Sequence, residues 1–215
     1  MEKSLEWNVE YLCESHFSGG QGHTLLYGKP DQTLEVLKEI YQRIKAKDEF
    51  LCTWHDASSI TKPMDFFEPI LRLKYGEEYD SLKEESWFKD YAARDEMSGV
   101  FQLARFCGKD EDPDRPNARK LPVIFIDGIE ELFFKMDYGH LNKKDLKRVL
   151  NGKYMNRPLS RGFGNCLRGH LHQAGTGIFY GRVRDDNGMQ YQTTLGNYDY
   201  LFYRGNFREF YVREN

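Results

Sequence analysis

At 215 residues, 40% hydrophobic and 30% charged, the chain has an ordinary soluble composition and the length for one large domain or two small ones with a sizeable core. A net charge of −3 argues against a general binder of nucleic acid or anionic membranes. No apolar run approaches the roughly 18 residues of a membrane-spanning helix, and residues 1–6 lack the apolar centre of a signal peptide, so a cytoplasmic protein is expected.

Residues 5–17 are amphipathic and predict a helix that ends at the Ser18-Gly19-Gly20-Gln21-Gly22 breaker cluster. His23-Thr24-Leu25-Leu26-Tyr27-Gly28 reads as a short buried strand stopped by Gly28 and Pro30. Asp31 is the expected N-cap of a helix over 32–47, where Leu34, Leu37, Ile40, Tyr41 and Ile44 recur at helical spacing. Phe50-Leu51-Cys52-Thr53-Trp54 is the next strand, and this β-α-β run favours a parallel pairing with a right-handed crossover.

Helices are expected around 66–73, 86–91 and 97–107, with a charged segment over 76–85 and an exposed loop over 108–120. Val123-Ile124-Phe125-Ile126-Asp127 follows Pro122 and is rich in β-branched and aromatic residues. It reads as a strand buried on both faces, hence part of a parallel sheet, with an acid at the end where such sheets bind ligands. Residues 137–161 are basic and loop-rich, with a short helix at 142–151; a helix over 164–173 feeds a strand at 177–181. Strand-like runs at 177–184, 189–195, 198–204 and 207–213 are separated by Asp185-Asp186-Asn187-Gly188, Gly196-Asn197 and Gly205-Asn206, which are hairpin-type turns.

Cys13, Cys52, Cys107 and Cys166 form no CxxC and are expected as buried thiols. His170 and His172 lie two apart, so on a helix they face different ways; Cys166 is four before His170, yet no third metal ligand is visible. His55 and Asp56 form a candidate acid–base pair near Ser58 and Ser59. Lys143, Lys144, Lys147, Arg148, Lys153, Arg157, Arg161 and Arg168 concentrate positive charge around Tyr154 and Phe163, a candidate surface for nucleic acid or an acidic partner. Tyr191, Tyr198, Tyr200, Phe202, Tyr203, Phe207, Phe210 and Tyr211 make the tail aromatic, which serves sheet packing or, if exposed, self-association or partner binding.

Leu25-Leu26-Tyr27-Gly28-Lys29-Pro30 resembles the opening of the Walker A region of P-loop NTPases of the AAA+/STAND type. Val123–Asp127 resembles their Walker B strand, and residues 176–180 are similar to the strand carrying sensor 1. The resemblance covers residues 20–182. It implies a three-layer P-loop NTPase-like α/β fold with a mainly parallel central sheet: a single domain with its core over 18–182 and a β-rich C-terminal extension over 183–215. It also implies a nucleotide site at Gly28, Lys29, Thr33, Asp127 and Arg182, with Asp127 holding Mg²⁺ beside ATP.

Both motifs depart from the family where the chemistry lies. About four residues are missing from the phosphate loop, including its Gly-Lys pair, judged against the motif spacing. Pro30 removes a backbone donor and Asp31 places a negative charge where a phosphate would sit. Gly128 stands where a water-orienting glutamate is common, and Glu130 and Glu131 are too far along to replace it. No helical lid follows residue 200, which argues against ring assembly. The expected function is therefore non-catalytic: a degenerate NTPase-like domain, without cofactor, acting as an interaction or scaffold module with a protein partner or a second copy. The alternatives are a nucleotide-binding protein or slow ATPase with an atypical phosphate loop, and a nucleic-acid binder using residues 143–168.

Overall fold

In the computed structural model, the structure describes residues 3–19, 23–61, 63–93, 117, 120–129, 131–132, 144, 177–184 and 207–213. Helix α1 spans Lys3–Phe17, strand β1 His23–Tyr27, helix α2 Pro30–Lys45 and strand β2 Phe50–Asp56. A 3₁₀ turn at Ala57–Ser59 leads to helices α3 (Pro63–Tyr75), α4 (Glu78–Leu82) and α5 (Ser86–Ala93). Strands β3 (Leu121–Asp127), β4 (Ile178–Arg182) and β5 (Phe207–Tyr211) complete one sheet. The expected helices at 97–107 and 164–173, the expected helix at 142–151 apart from residue 144, and the expected strands at 189–195 and 198–204 lie outside the described residues, as does most of the 108–120 loop.

All neighbouring strands pair in parallel, in the order β2-β3-β4-β1-β5. β1 and β2 run parallel as expected, but they are not paired: β3 and β4 lie between them. Of the strand-like runs expected in the C-terminal tail, the last is a strand, β5, which pairs with the central sheet in parallel, with His23 to Tyr27 registered against Phe207 to Tyr211.

Both faces of the sheet are covered at its centre, which is why β3 and β4 are buried along almost their whole length, whereas the edge strand β5 alternates exposed Arg208 and Tyr211 with buried Phe210. On one face, Val9, Leu12 and Cys13 of α1 and Val36, Leu37, Ile40 and Ile44 of α2 pack with Cys52, Val123, Phe125, Ile178, Tyr180 and Phe210. Phe125 stacks on Tyr180 with ring centres 5.2 Å apart, and Tyr41 meets Phe125 edge-on at 5.2 Å. On the other face, His55 packs against Phe66 of α3, whose Phe67, Ile70 and Leu71 are also buried. The helix layers thus fix the height at which the strand ends emerge.

Helix α2 starts two residues earlier than the spacing predicts. Lys29 is its N-cap and Pro30 opens the first turn, where a missing N–H costs nothing; Asp31 sits inside that turn and is not the cap. The charged 76–85 segment contains α4, whose Tyr79 is buried and lies under the Arg72 guanidinium at 4.7 Å. Asn8 of α1 is fully buried and clamps the chain just after β5: its amide donates to the Arg213 carbonyl and its oxygen accepts from the Arg213 N–H, both at 3.3 Å.

Cys13 and Cys52 are free, buried thiols, as expected; burial pushes them up to about 11 and about 12, so they stay protonated and inert. Cys107 and Cys166 lie outside the described residues.

Ile40 is fully buried between α2 and the sheet. Ile40→Ala is expected to cost about 2–5 kcal/mol in urea unfolding, against about 0.5 kcal/mol or less for the neighbouring exposed Lys38→Ala. Equal small losses would show that α2 does not pack on the sheet as described.

Candidate functional site: the carboxyl ends of the central strands

Parallel strands all present their carboxyl ends on one side, and here that side gathers charge. β2 ends at Asp56, β3 at Asp127 and β4 at Arg182, with Arg184 two residues further on. Asp56 and Asp127 are register partners, as are Asp127 and Arg182.

Asp127 is the centre. Its side chain is only 11% exposed, and both arginines reach the same oxygen: Arg182 Nε at 2.6 Å and Arg184 Nε at 2.9 Å from Oδ1. The Arg184 contact is a well-aligned hydrogen bond, whereas the Arg182 Nε–H points off the line to the oxygen, so that contact is mainly Coulombic. Burial pulls the Asp127 carboxyl upward. The hydrogen bond from Arg184 and the positive charges of both arginines outweigh it and hold the group below the usual carboxylate range.

Arg184 also donates from Nη2 to Asp56 Oδ1 at 2.6 Å and from Nη1 to Glu131 Oε2 at 3.2 Å. One guanidinium therefore meets three carboxylates from three segments. Asp56 is held down to about 2, first by the Ser58 hydroxyl at 2.6 Å and then by Arg184. Arg184 itself is pushed further up by its carboxylates.

Two glycines make room for this cluster. Gly128 has φ +81°, and a Cβ there would lie 2.9 Å from Arg184 Nε. A glutamate at that position, common in the family resembled, would displace the guanidinium and strain the backbone. At Gly181, a Cβ would fall 2.6 Å from Ile129 Cδ1, because the helical turn after β3 packs directly on β4.

The connection from β1 to α2 is only Gly28 and Lys29, both exposed. Two residues cannot wrap a phosphate chain, which needs several successive backbone N–H groups. Thr33 is fully buried in the first turn of α2, with its hydroxyl directed back at the carbonyls of Lys29 (3.1 Å) and Pro30 (3.0 Å). The Pro30 carbonyl also accepts from Arg182 Nη1 at 3.1 Å.

Of the five residues nominated for nucleotide, Thr33, Asp127 and Arg182 converge on the start of α2, while Gly28 and Lys29 sit on its exposed approach. Arg182 is only 7% exposed and is ion-paired. Glu131, expected to lie too far along to replace a water-orienting glutamate, pairs instead with Arg184, which it shares with Asp127. Glu130 lies outside the described residues. Arg184, a further charged member of the cluster, is marked in the sequence only by the Arg-x-Arg pattern at 182–184.

The acid–base pair does not form. His55 and Asp56 are the last two residues of β2, so they point to opposite faces. His55 is buried against Phe66 and hydrogen-bonds Thr53 Oγ1 at 2.9 Å, while Asp56 caps the 3₁₀ turn through the Ser58 N–H. Burial holds His55 down to about 4, and does the same to His16, which meets Tyr180 Oη at 2.9 Å.

Of the basic candidates, Lys144 is exposed on a helical turn, whereas Lys143, Lys147, Arg148, Lys153, Arg157, Arg161 and Arg168 lie outside the described residues. So do His170, His172 and the tail aromatics at 191–203; Tyr211 is 65% exposed and stacks on Tyr27 at 5.4 Å. No helix among the described residues is long and apolar enough to cross a membrane. No protein-family model matches the sequence, and no curated protein matches it significantly.

Arg182→Met leaves Asp127 with one counter-charge. It is expected to cost about 2–4 kcal/mol, somewhat below the range for stripping a buried pair completely, because Arg184 remains. A loss under about 0.5 kcal/mol would show the pair to be solvated.

The two buried histidines predict a pH response of definite sign. Their folded values lie near 4, below the unfolded 6.5, so the unfolded chain takes up protons first as pH falls. Stability should drop between pH 6.5 and 4, by up to about 1.4 kcal/mol per pH unit for each group. Asp56 and Asp127 are depressed, so their contribution is full above about pH 4 and fades only below it. Urea titrations of the protein and of His16→Gln should show this slope and its halving; a flat profile from pH 7 to 4.5 would contradict the burial of both rings.

Proposed function

We propose that the chain is a non-catalytic, degenerate AAA+/P-loop-like domain that works as an interaction or scaffold module. The observation that carries this reading is the closure of the strand ends by Arg182 and Arg184 over Asp127. Open α/β sheets bind ligands outside the carboxyl ends of their strands, where the connections diverge. Here α2 leads from β1 toward β2 on one side, while the path from β4 returns to β5 on the other side of β1. At that place, Arg182 bridges Asp127 and the Pro30 carbonyl.

The strand order also supports the reading. The sheet is parallel throughout, β1 lies between β4 and β5, and β3 carries the acid at its carboxyl end, which fits the mainly parallel sheet that the resemblance implies. Phosphoryl transfer in that family needs a phosphate cradle, a cation and a positioned water. The two-residue β1–α2 connection offers no cradle, the Thr33 hydroxyl is spent on carbonyls, and Gly128 orients no water. An interaction role fits the outer face of α1. Trp7 and Tyr11 stack at 5.4 Å there, and each is about two-fifths exposed.

Melting in millimolar ATP–Mg²⁺, ADP–Mg²⁺ and GTP–Mg²⁺ tests this directly. No shift is expected, although a ligand at about 100 times its dissociation constant would add roughly 2.7 kcal/mol. A shift abolished by Asp127→Ala would overturn the reading and establish a working nucleotide site. Retardation of DNA or RNA that weakens with salt would move the function to the basic 143–168 region.

A further inference from the structure

Resting on that reading, we propose that Arg184 is an internal counter-ion standing in the place of a divalent cation, so that this cluster is held together without metal. The family resembled implies Mg²⁺ at Asp127, and the residues present do not fit it. As the side chains stand, no group of three or more His, Cys, Asp or Glu among the described residues is arranged to hold a metal ion. The oxygens such an ion would use face nitrogen instead. Asp56, Asp127 and Glu131 each address a different nitrogen of one guanidinium, at 2.6, 2.9 and 3.2 Å.

Three features make this more than a chance ion pair. First, the carboxylates come from β2, from β3 and from the helical turn after β3, and all three are gathered by one guanidinium rather than around a shared cation position. Second, the backbone is shaped around the guanidinium, because Gly128 leaves open the volume that a Cβ would take from Arg184 Nε. Third, Arg182 brings another positive charge onto the same Asp127 oxygen, so a cation entering beside the two arginines would meet repulsion. Guanidinium and metal are therefore mutually exclusive here. A guanidinium stays charged at any physiological pH and cannot dissociate, so this closure is indifferent to chelation.

The test is an exchange. The wild-type protein, Arg184→Ala and Arg184→Gln are melted with and without MgCl₂ or MnCl₂ at constant ionic strength and without nucleotide. Bound Mn²⁺ is counted by electron paramagnetic resonance. The wild type is expected to bind no Mn²⁺ at this cluster and to show no cation-dependent shift. Both variants are expected to melt lower, to bind about one Mn²⁺ per chain, and to recover roughly 5–10 °C at about 100 times the dissociation constant. Both gains should vanish when Asp127→Asn is added.

A Mn²⁺ site in the wild type that is lost with Asp127→Asn would overturn the proposal. So would folded variants that gain neither Mn²⁺ nor stability, or variants that stay unfolded with and without the cation. Because nucleotide is absent, these outcomes leave the non-catalytic reading untouched; that reading fails on a nucleotide shift in the wild type.

Discussion

A carboxylate buried at the end of a central parallel strand needs a counter-charge, because an ion left alone in that setting costs several kcal/mol. Asp127 obtains two, from Arg182 at 2.6 Å and Arg184 at 2.9 Å, both on Oδ1. Much of the local architecture follows from satisfying that one group. Gly128 must lack a side chain so that Arg184 can lie across the strand end. Gly181 must lack one so that Ile129 can pack against β4 and bring Glu131 to the same arginine. Hydrophobic packing between α1, α2 and the sheet provides the bulk of the driving force, while the arginines settle how the polar ends of β2, β3 and β4 are finished.

The same constraint decides what the crevice does chemically. A cation-binding acid must present free oxygens, and a phosphate site must present free N–H groups at a helix start. This chain uses Asp127 on guanidinium groups, Thr33 on carbonyls, and the start of α2 on Arg182. Charge that would be supplied from outside in an active site is supplied from within. The product is a strand edge closed by its own charges, on a sheet with helices on both faces.

Local patterns in the sequence carried most of the individual elements. β3 was readable because four consecutive apolar residues after Pro122 have no polar face to show to water, and the structure buries residues 122–127 accordingly. α2 was readable from the spacing of Leu37, Ile40 and Ile44, although its start shifted because Pro30 is better tolerated in a first helical turn than the spacing alone reveals. The order of strands was not readable: nothing between residues 27 and 50 says that β3 and β4 will insert between β1 and β2. The site was half readable. Asp127 and Arg182 were marked by their positions at strand ends, but Arg184 joins residues 53, 57 and 128 positions away, and such pairings leave no local trace. Reading His55 and Asp56 as a pair failed for a simple reason: β2 runs two residues further than expected, and alternation then sends the two side chains to opposite faces.

Closure of the strand ends requires that Asp127 and Arg182 be energetically coupled. A double-mutant cycle with Asp127→Asn, Arg182→Met and the double variant, followed by urea unfolding at pH 7, measures that coupling with little else in it. A favourable coupling of about 1.5–3 kcal/mol is the expected result for a close charge pair held away from water. Additive losses, with coupling under about 0.5 kcal/mol, would mean that Arg182 and Asp127 are each solvated and that Arg182 does not close the strand ends.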